Sequence, residues 1–159
     1  MLVNVECHFW LIKEFIGPMI KKNKGHIVSI ASVAGMCGAP NLVDYCASKF
    51  AAVGLMEALR LEFKRDNVDI KTTIICPFFI NTGMFDGVPG SALFPLLDQD
   101  HVVWRTVNAV RQEEKHVVLP WMMGQLTYLA KMHPSSVHDF YGWLLLGLNQ
   151  MKNFHGRAQ

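Results

Sequence analysis

Ser32, Tyr45 and Lys49 are the residues of this chain whose types and spacing suggest chemistry: a serine, twelve residues, a tyrosine, three residues, a lysine. Tyr45 and Lys49 are four apart, so on a helix they share one face and can reach a common ligand. A phenol has a free pKa of about 10 and exchanges protons poorly near neutrality. A neighbouring ammonium favours the phenolate, so Lys49 is expected to pull the Tyr45 pKa down. A hydroxyl delivered from a separate turn, Ser32, would hydrogen-bond a substrate oxygen held against the tyrosine. Proton exchange with a carbonyl or an alcohol is the reaction such a trio can perform. A hydrolase built on Ser32 would require a Gly-x-Ser-x-Gly elbow, and the sequence has none.

A strand, a loop and a helix must position these three. Residues 26–31 (His26-Ile27-Val28-Ser29-Ile30-Ala31) read as a strand buried on both faces. Residues 33–42, with Gly35, Gly38 and Pro40, read as loop. Residues 44–65 read as one long helix, with Asp44 near its start and Lys64-Arg65 near its end. Ala47, Ala51, Ala52 and Gly54 keep one side of it slim, which suits tight packing within the domain or a dimer interface. Residues 1–22 read as an earlier helix, with Val5, Phe9, Ile12, Phe15, Ile16 and Met19 at helical spacing. Gly17-Pro18 should bend it, and Asn23-Lys24-Gly25 should end it. Residues 70–76 read as a second parallel strand, stopped by Pro77. Ser32 and Pro77 thus lie at strand carboxyl ends, where open α/β sheets bind ligands.

The remainder is less regular. Residues 83–100 carry Gly87, Pro89, Gly90 and Pro95 among apolar side chains, which suits a lid over a hydrophobic substrate or a small satellite core. Asp98-Gln99-Asp100 caps a helix over about 101–113, with Val102, Val103, Val107 and Val110 inward. Lys115–Leu119 reads as a final strand ended by Pro120. Residues 121–150 read as two apolar helical arms about Pro134, able to wall a substrate mouth, lie in a membrane interface or fold back on the domain.

Composition narrows the field. The chain has 159 residues, 51% hydrophobic and 18% charged, which describes one ordinary, rather greasy globular domain. A net charge of +2 is too mild to argue for nucleic acid. Cys7, Cys37, Cys46 and Cys76 show neither metal spacing nor a compact disulfide framework, so free thiols and no metal are expected. No apolar run reaches eighteen residues, and the first residues do not read as a secretory signal.

From Asn4 to about Phe85 the sequence resembles the short-chain dehydrogenase/reductase family. The resemblance rests on the pattern Val3-Asn4-Val5-x-x-His8-Phe9-Trp10, the serine strand, Tyr45-Cys46-Ala47-Ser48-Lys49, and Pro77 with Thr82 five residues on. It implies an α/β fold: the C-terminal half of a Rossmann-type doubly wound parallel sheet, lacking the N-terminal dinucleotide-binding strands. It divides the chain into a truncated Rossmann-type catalytic portion, 1–120, and an apolar helical extension, 121–159. It implies catalytic roles for Asn4, Ser32, Tyr45 and Lys49, with Asn4 helping to hold a water that links the lysine to solvent. It implies an NAD or NADP cofactor contacted by Tyr45, Lys49, Pro77, the Ile80 backbone and Thr82. Where the family has Pro-Gly, this chain has Pro77-Phe78, which leaves the local turn shape open.

His8-Phe9-Trp10, Asp44-Tyr45-Cys46-Ala47-Ser48-Lys49-Phe50 and Asn81-Thr82-Gly83-Met84-Phe85 look like the retinol/retinal and 17β-hydroxysteroid branch. That branch implies a lipophilic alcohol, ketone or aldehyde as substrate and the endoplasmic reticulum membrane or lipid droplet as location, although no anchor is visible. It also implies a homodimer through the 44–65 helix. The family's glycine-rich fingerprint, which lets a backbone approach a pyrophosphate, does not occur in this sequence. The chain is therefore expected neither to bind NAD(P) tightly nor to turn over alone. The alternative is a non-catalytic module that pairs with a full-length partner or sits on a membrane.

Overall fold

A computed structural model describes residues 1–84 and 94–141 of the chain. A π-helical turn, Leu2–Glu6, runs into α1, Cys7–Lys22, and then β1, Gly25–Ile30. A 3-10 turn, Val33–Gly35, leads to α2, Val43–Arg65, and β2, Ile70–Pro77. α3 (Gln99–Arg111), β3 (His116–Leu119), α4 (Trp121–Lys131) and α5 (Ser135–Tyr141) complete the order. The three strands and α1 to α3 begin and end within a few residues of where hydrophobic period and capping place them, and α4 and α5 flank Pro134 as expected. The left-handed Asn23 (φ 45°) closes α1, and the Asp98 carboxylate caps α3 by accepting from the His101 N–H. α1 continues through Pro18 to Lys22.

The three strands form one parallel sheet in the order β1-β2-β3. Ser29 lies opposite Ile74, and Ile74 lies opposite His116. That register sends Ser29, Ile74 and Cys76 to one face, where Ile74 and Cys76 pack with Val53 and Met56 of α2. Ile75, Val117 and Leu119 go to the other face and pack with Val102 and Ala109 of α3. α1 joins α2 on the first face through Ile12, Ile16 and Met19, which pack beside Leu59, Phe63 and Ile70. α4 follows on that same face, where Gly124 lets the helix approach the Val118 side chain. Helices thus cover both faces of the parallel sheet, the expected doubly wound arrangement.

Three expectations about burial are corrected. β1 reads as a fully buried strand, yet Val28 and Ile30 are 39% and 52% exposed. β1 pairs with β2 alone among the described residues, so this strand is an edge, and its α3-side face is open. Phe9 and Phe15 of α1 also face solvent, while Ile12, Ile16 and Met19 turn inward. Likewise Val103 and Val107 of α3 are exposed and Ala109 is buried. Of the small residues on α2, Ala52 lies in the core and Gly54 is exposed. Half of the expected lid, 85–93, and the second half of the tail, 142–159, lie outside the described residues. Phe94, the first described residue beyond 84, is buried with Val33, Cys37 and Met123.

Candidate active site

β1 ends at Ile30, and the chain turns at Ser32 in extended backbone, φ −172°. The Ser32 hydroxyl accepts from the Ala34 N–H (3.2 Å) and donates to the Pro77 carbonyl at the end of β2 (3.3 Å). The turn then passes tightly under α2. A Cβ placed on Gly35 would lie 2.5 Å from the Lys49 carbonyl oxygen, closer than any side chain tolerates. Glycine at 35 therefore sets how near the serine turn comes to the helix turn bearing Lys49.

Tyr45 and Lys49 occupy one face of α2. The Lys49 ammonium lies 5.6 Å from the centroid of the Tyr45 ring and donates to the Ile30 carbonyl (3.3 Å). The Ser32 hydroxyl lies close enough to the Tyr45 phenol to lower its pKa. Ser32, Tyr45 and Lys49 are thus brought to one place at the carboxyl ends of β1 and β2.

The electrostatics differ from the expectation. The Tyr45 pKa is raised, chiefly by burial, while the nearby Ser32 hydroxyl pulls it down and Cys46 adds a smaller upward push. Burial also lowers the Lys49 pKa. Desolvation of the phenolate outweighs any pull from the Lys49 ammonium, which sits over the ring and bonds a backbone carbonyl.

Asn4 lies in the π-helical turn, a local widening common at functional sites. Its side-chain amide donates to the Ser48 hydroxyl (3.2 Å), and Ser48 in turn donates to the Tyr45 carbonyl (2.7 Å). Asn4 therefore reaches the trio through the buried Ser48, a link the sequence did not signal because its partners are 44 residues apart.

Beyond Pro77 the chain extends the sheet. The Phe78 N–H donates to the Leu119 carbonyl (2.7 Å), and the Phe78 ring packs against the cluster of Val33, Phe94 and Met123. Phe78 has no positive φ, so a large side chain fits where the family has glycine. Ile80 pairs with Leu97 through the Asn81 N–H and the Phe79 carbonyl. The Ile80 N–H itself takes no partner among the described residues. Its carbonyl accepts from the Thr82 N–H (2.8 Å), and the exposed Thr82 hydroxyl accepts from the Met84 N–H (3.4 Å). No hydrogen bond joins Ile80 or Thr82 to the trio among the described residues.

Behind the site, the buried Cys76 thiol contacts His116 (3.3 Å), whose other ring nitrogen contacts the Tyr128 hydroxyl (3.0 Å). Burial pushes the Cys76 pKa up to about 12, which makes it an inert thiol. No group of metal-ligating side chains occurs among the described residues.

The sequence profile described as short chain dehydrogenase matches residues 1–90. Mouse "Epidermal retinol dehydrogenase 2" is 42% identical over 135 residues, which are 83% of this chain and 44% of that protein. Human "Estradiol 17-beta-dehydrogenase 11" is 41% identical over 133 residues, again 83% of this chain and 44% of the relative. A solved short chain dehydrogenase from Burkholderia cenocepacia J2315, in complex with NADP, superposes with a TM-score of 0.70 at 22% identity, covering 90% of this chain and 56% of that one. The chain spans about half the length of the curated relatives it matches. With over half of its residues matched by one family profile, and a serine, a tyrosine and a lysine gathered where its parallel strands end, the chain belongs to the short chain dehydrogenase family.

Proposed function

We propose that this chain carries the proton-handling half of a nicotinamide-dependent oxidoreductase site for a lipophilic alcohol, ketone or aldehyde of retinoid or steroid type. The carrying observation is the convergence of three groups: the Ser32 hydroxyl lies near enough to lower the Tyr45 pKa, and the Lys49 ammonium sits over the same ring. Tyr45 exchanges a proton with the substrate oxygen, and Ser32 holds that oxygen in place. Lys49 anchors the base of the site through the Ile30 carbonyl and contacts the cofactor ribose. Asn4 supports a water beside the lysine.

The residues present fit the nicotinamide end of a dinucleotide. The Ile80 N–H has no partner among the described residues, and Thr82 lies exposed beyond the same strand end, so Pro77, Ile80 and Thr82 would border that group together with Tyr45 and Lys49. When bound, NAD or NADP supplies the hydride. The pyrophosphate end has no glycine-rich cradle in this sequence, so the chain alone binds the cofactor weakly and does not turn over.

Residues 1–120 form the catalytic portion in this reading, and 121–159 wall the substrate mouth. Met123 and Leu126 of α4 pack against the Ser32 turn and Phe78, which supports that role. We place the chain at the cytosolic face of the endoplasmic reticulum or lipid droplet, as the resemblance to the retinol and 17β-hydroxysteroid branch implies. No described helix is long and apolar enough to cross a membrane. Exposed Trp121, Leu129 and Met132 are the described side chains that would meet such a surface.

The test joins this chain to the dinucleotide-binding half of a retinol dehydrogenase relative and measures NAD(P)-dependent oxidation of retinol and estradiol. Turnover is expected. Tyr45→Phe should lower it by about 10³-fold, within the range for loss of a general acid–base group, and unchanged turnover would refute the reading. A second reading, an interaction module pairing through α2, draws on the exposed Gly54 and Leu61 of that helix. Co-purification with a homologous full-length subunit, lost on Gly54→Arg, would favour it.

A further inference from the structure

Two buried polar atoms among the described residues have no hydrogen-bond partner: His8 Nδ1 and Ser29 Oγ. Ser29 is 5% exposed, so its hydroxyl has no route to bulk water. An orphaned buried polar group costs about 1–3 kcal/mol, and two of them on facing elements point to something between them.

Strand register and helix period set them on facing surfaces. Ser29 shares the face of Ile74, the face that α1 and α2 cover. His8 belongs to the inward row of α1, one turn after Asn4 and one turn before Ile12. α1 runs back along β1, because Met19 sits against Gly25 where the two elements meet. Counting from that contact, His8 lies about 16 Å up the helix and Ser29 about 13 Å up the strand. The two are therefore at nearly one level, beside the Ile30 carbonyl that Lys49 grips.

The Lys49 ammonium has three protons and one acceptor, Ile30, among the described residues. Its charge is felt at His8, where burial first and Lys49 second hold the imidazole below its ordinary pKa and so neutral. A neutral imidazole nitrogen, a serine hydroxyl and an ammonium together supply the two to four polar contacts that a buried water needs.

We propose that His8 Nδ1 and Ser29 Oγ hold a fixed water between α1 and β1 that hydrogen-bonds Lys49, so that both are positioning residues for the lysine. The water accepts from Lys49, donates to His8 Nδ1 and exchanges its remaining bond with Ser29. Lys49, on α2, is the charged group facing this site. β1 contributes His26, which turns to Thr73 on the opposite face (2.8 Å), and α1 and the turn before it contribute Cys7 and Asn4. The water site stands on this geometry alone. Its use in holding Lys49 for proton exchange rests on the oxidoreductase reading.

The test is imidazole ¹⁵N NMR on the whole chain across pH. His8 is expected as the Nε2–H tautomer, with Nδ1 as acceptor and a titration midpoint below 6.5. Lys49→Met removes a charge and should raise that midpoint. Ser29→Ala removes no charge and changes no charged contact, yet it should raise the midpoint by about 0.3 to 0.5 unit, because a donor favouring the neutral ring is loosened. An unmoved midpoint in Ser29→Ala, or an Nδ1–H tautomer in the unaltered chain, overturns the proposal. If Ser29→Ala does not fold, the tautomer and midpoint of the unaltered chain decide. These readouts need neither cofactor nor turnover, so the water site and the redox reading fail separately.

Discussion

At the scale of the residue, Tyr45 is governed by burial more than by its lysine. The four-residue spacing made the Tyr45–Lys49 pair legible from sequence, and the structure places the ammonium over the ring. Spacing could not report desolvation, which sets the direction of the pKa shift. Ser32→Ala should therefore raise the Tyr45 midpoint further, since it removes the one downward pull. Lys49→Met should leave that midpoint within a few tenths of a unit of its starting value. Carbon-13 NMR of the phenol reads both, and a large rise in Lys49→Met would restore the lysine as the acidifying group. The contacts of Ser48, His8 and Ser29 were invisible in the sequence because a polar side chain inside a helix or strand carries no sign of which distant atom it meets. Ser48→Ala should destabilise the chain by about 1 kcal/mol through loss of the Asn4 bond, measured by urea unfolding. No change would place Asn4 in another contact.

At the scale of the element, strands and helices announced themselves through period and punctuation, whereas burial of their faces did not. Val28 and Ile30 look like core residues because their types suit a central strand, and only pairing could show that β1 is an edge among the described residues. Phe9 and Phe15 misled for the same reason: α1 is apolar on more than one side, so period alone could not choose the inward row. An exposed apolar edge strand invites association. Val28→Lys with Ile30→Lys should reduce self-association in sedimentation velocity while leaving the circular dichroism spectrum intact. Persistent association in the double variant would move the sticky surface to α1 or α4. Gly35 offers a sharper check. Gly35→Ala drives a methyl into the Lys49 carbonyl and should cost about 1–3 kcal/mol, as overpacking does. A neutral Gly35→Ala would mean that the serine turn can shift away from α2 freely.

At the scale of the whole molecule, the described sheet has three parallel strands in sequential order, and the chain spans 44% of the mouse retinol dehydrogenase it resembles. Stability should reflect the imidazoles buried within it. His8 and His116 both have lowered pKa values, caused mainly by burial. A depressed histidine is fully stabilising above its unfolded value of about 6.5, and that stability is lost as the pH falls through its folded value. The melting temperature should thus drop between pH 7.5 and pH 5, and His116→Asn should flatten part of the drop. A melting temperature independent of pH over that range would place both rings in water.

The division of labour in this chain is the central claim: the groups that handle the proton are present and assembled, and the backbone that would cradle a pyrophosphate is not in the sequence. Titrating NADH and NADPH into the chain alone by calorimetry addresses it directly. The account predicts no saturation below about 1 mM, a binding free energy weaker than about −4 kcal/mol. Saturation at micromolar concentration would contradict it.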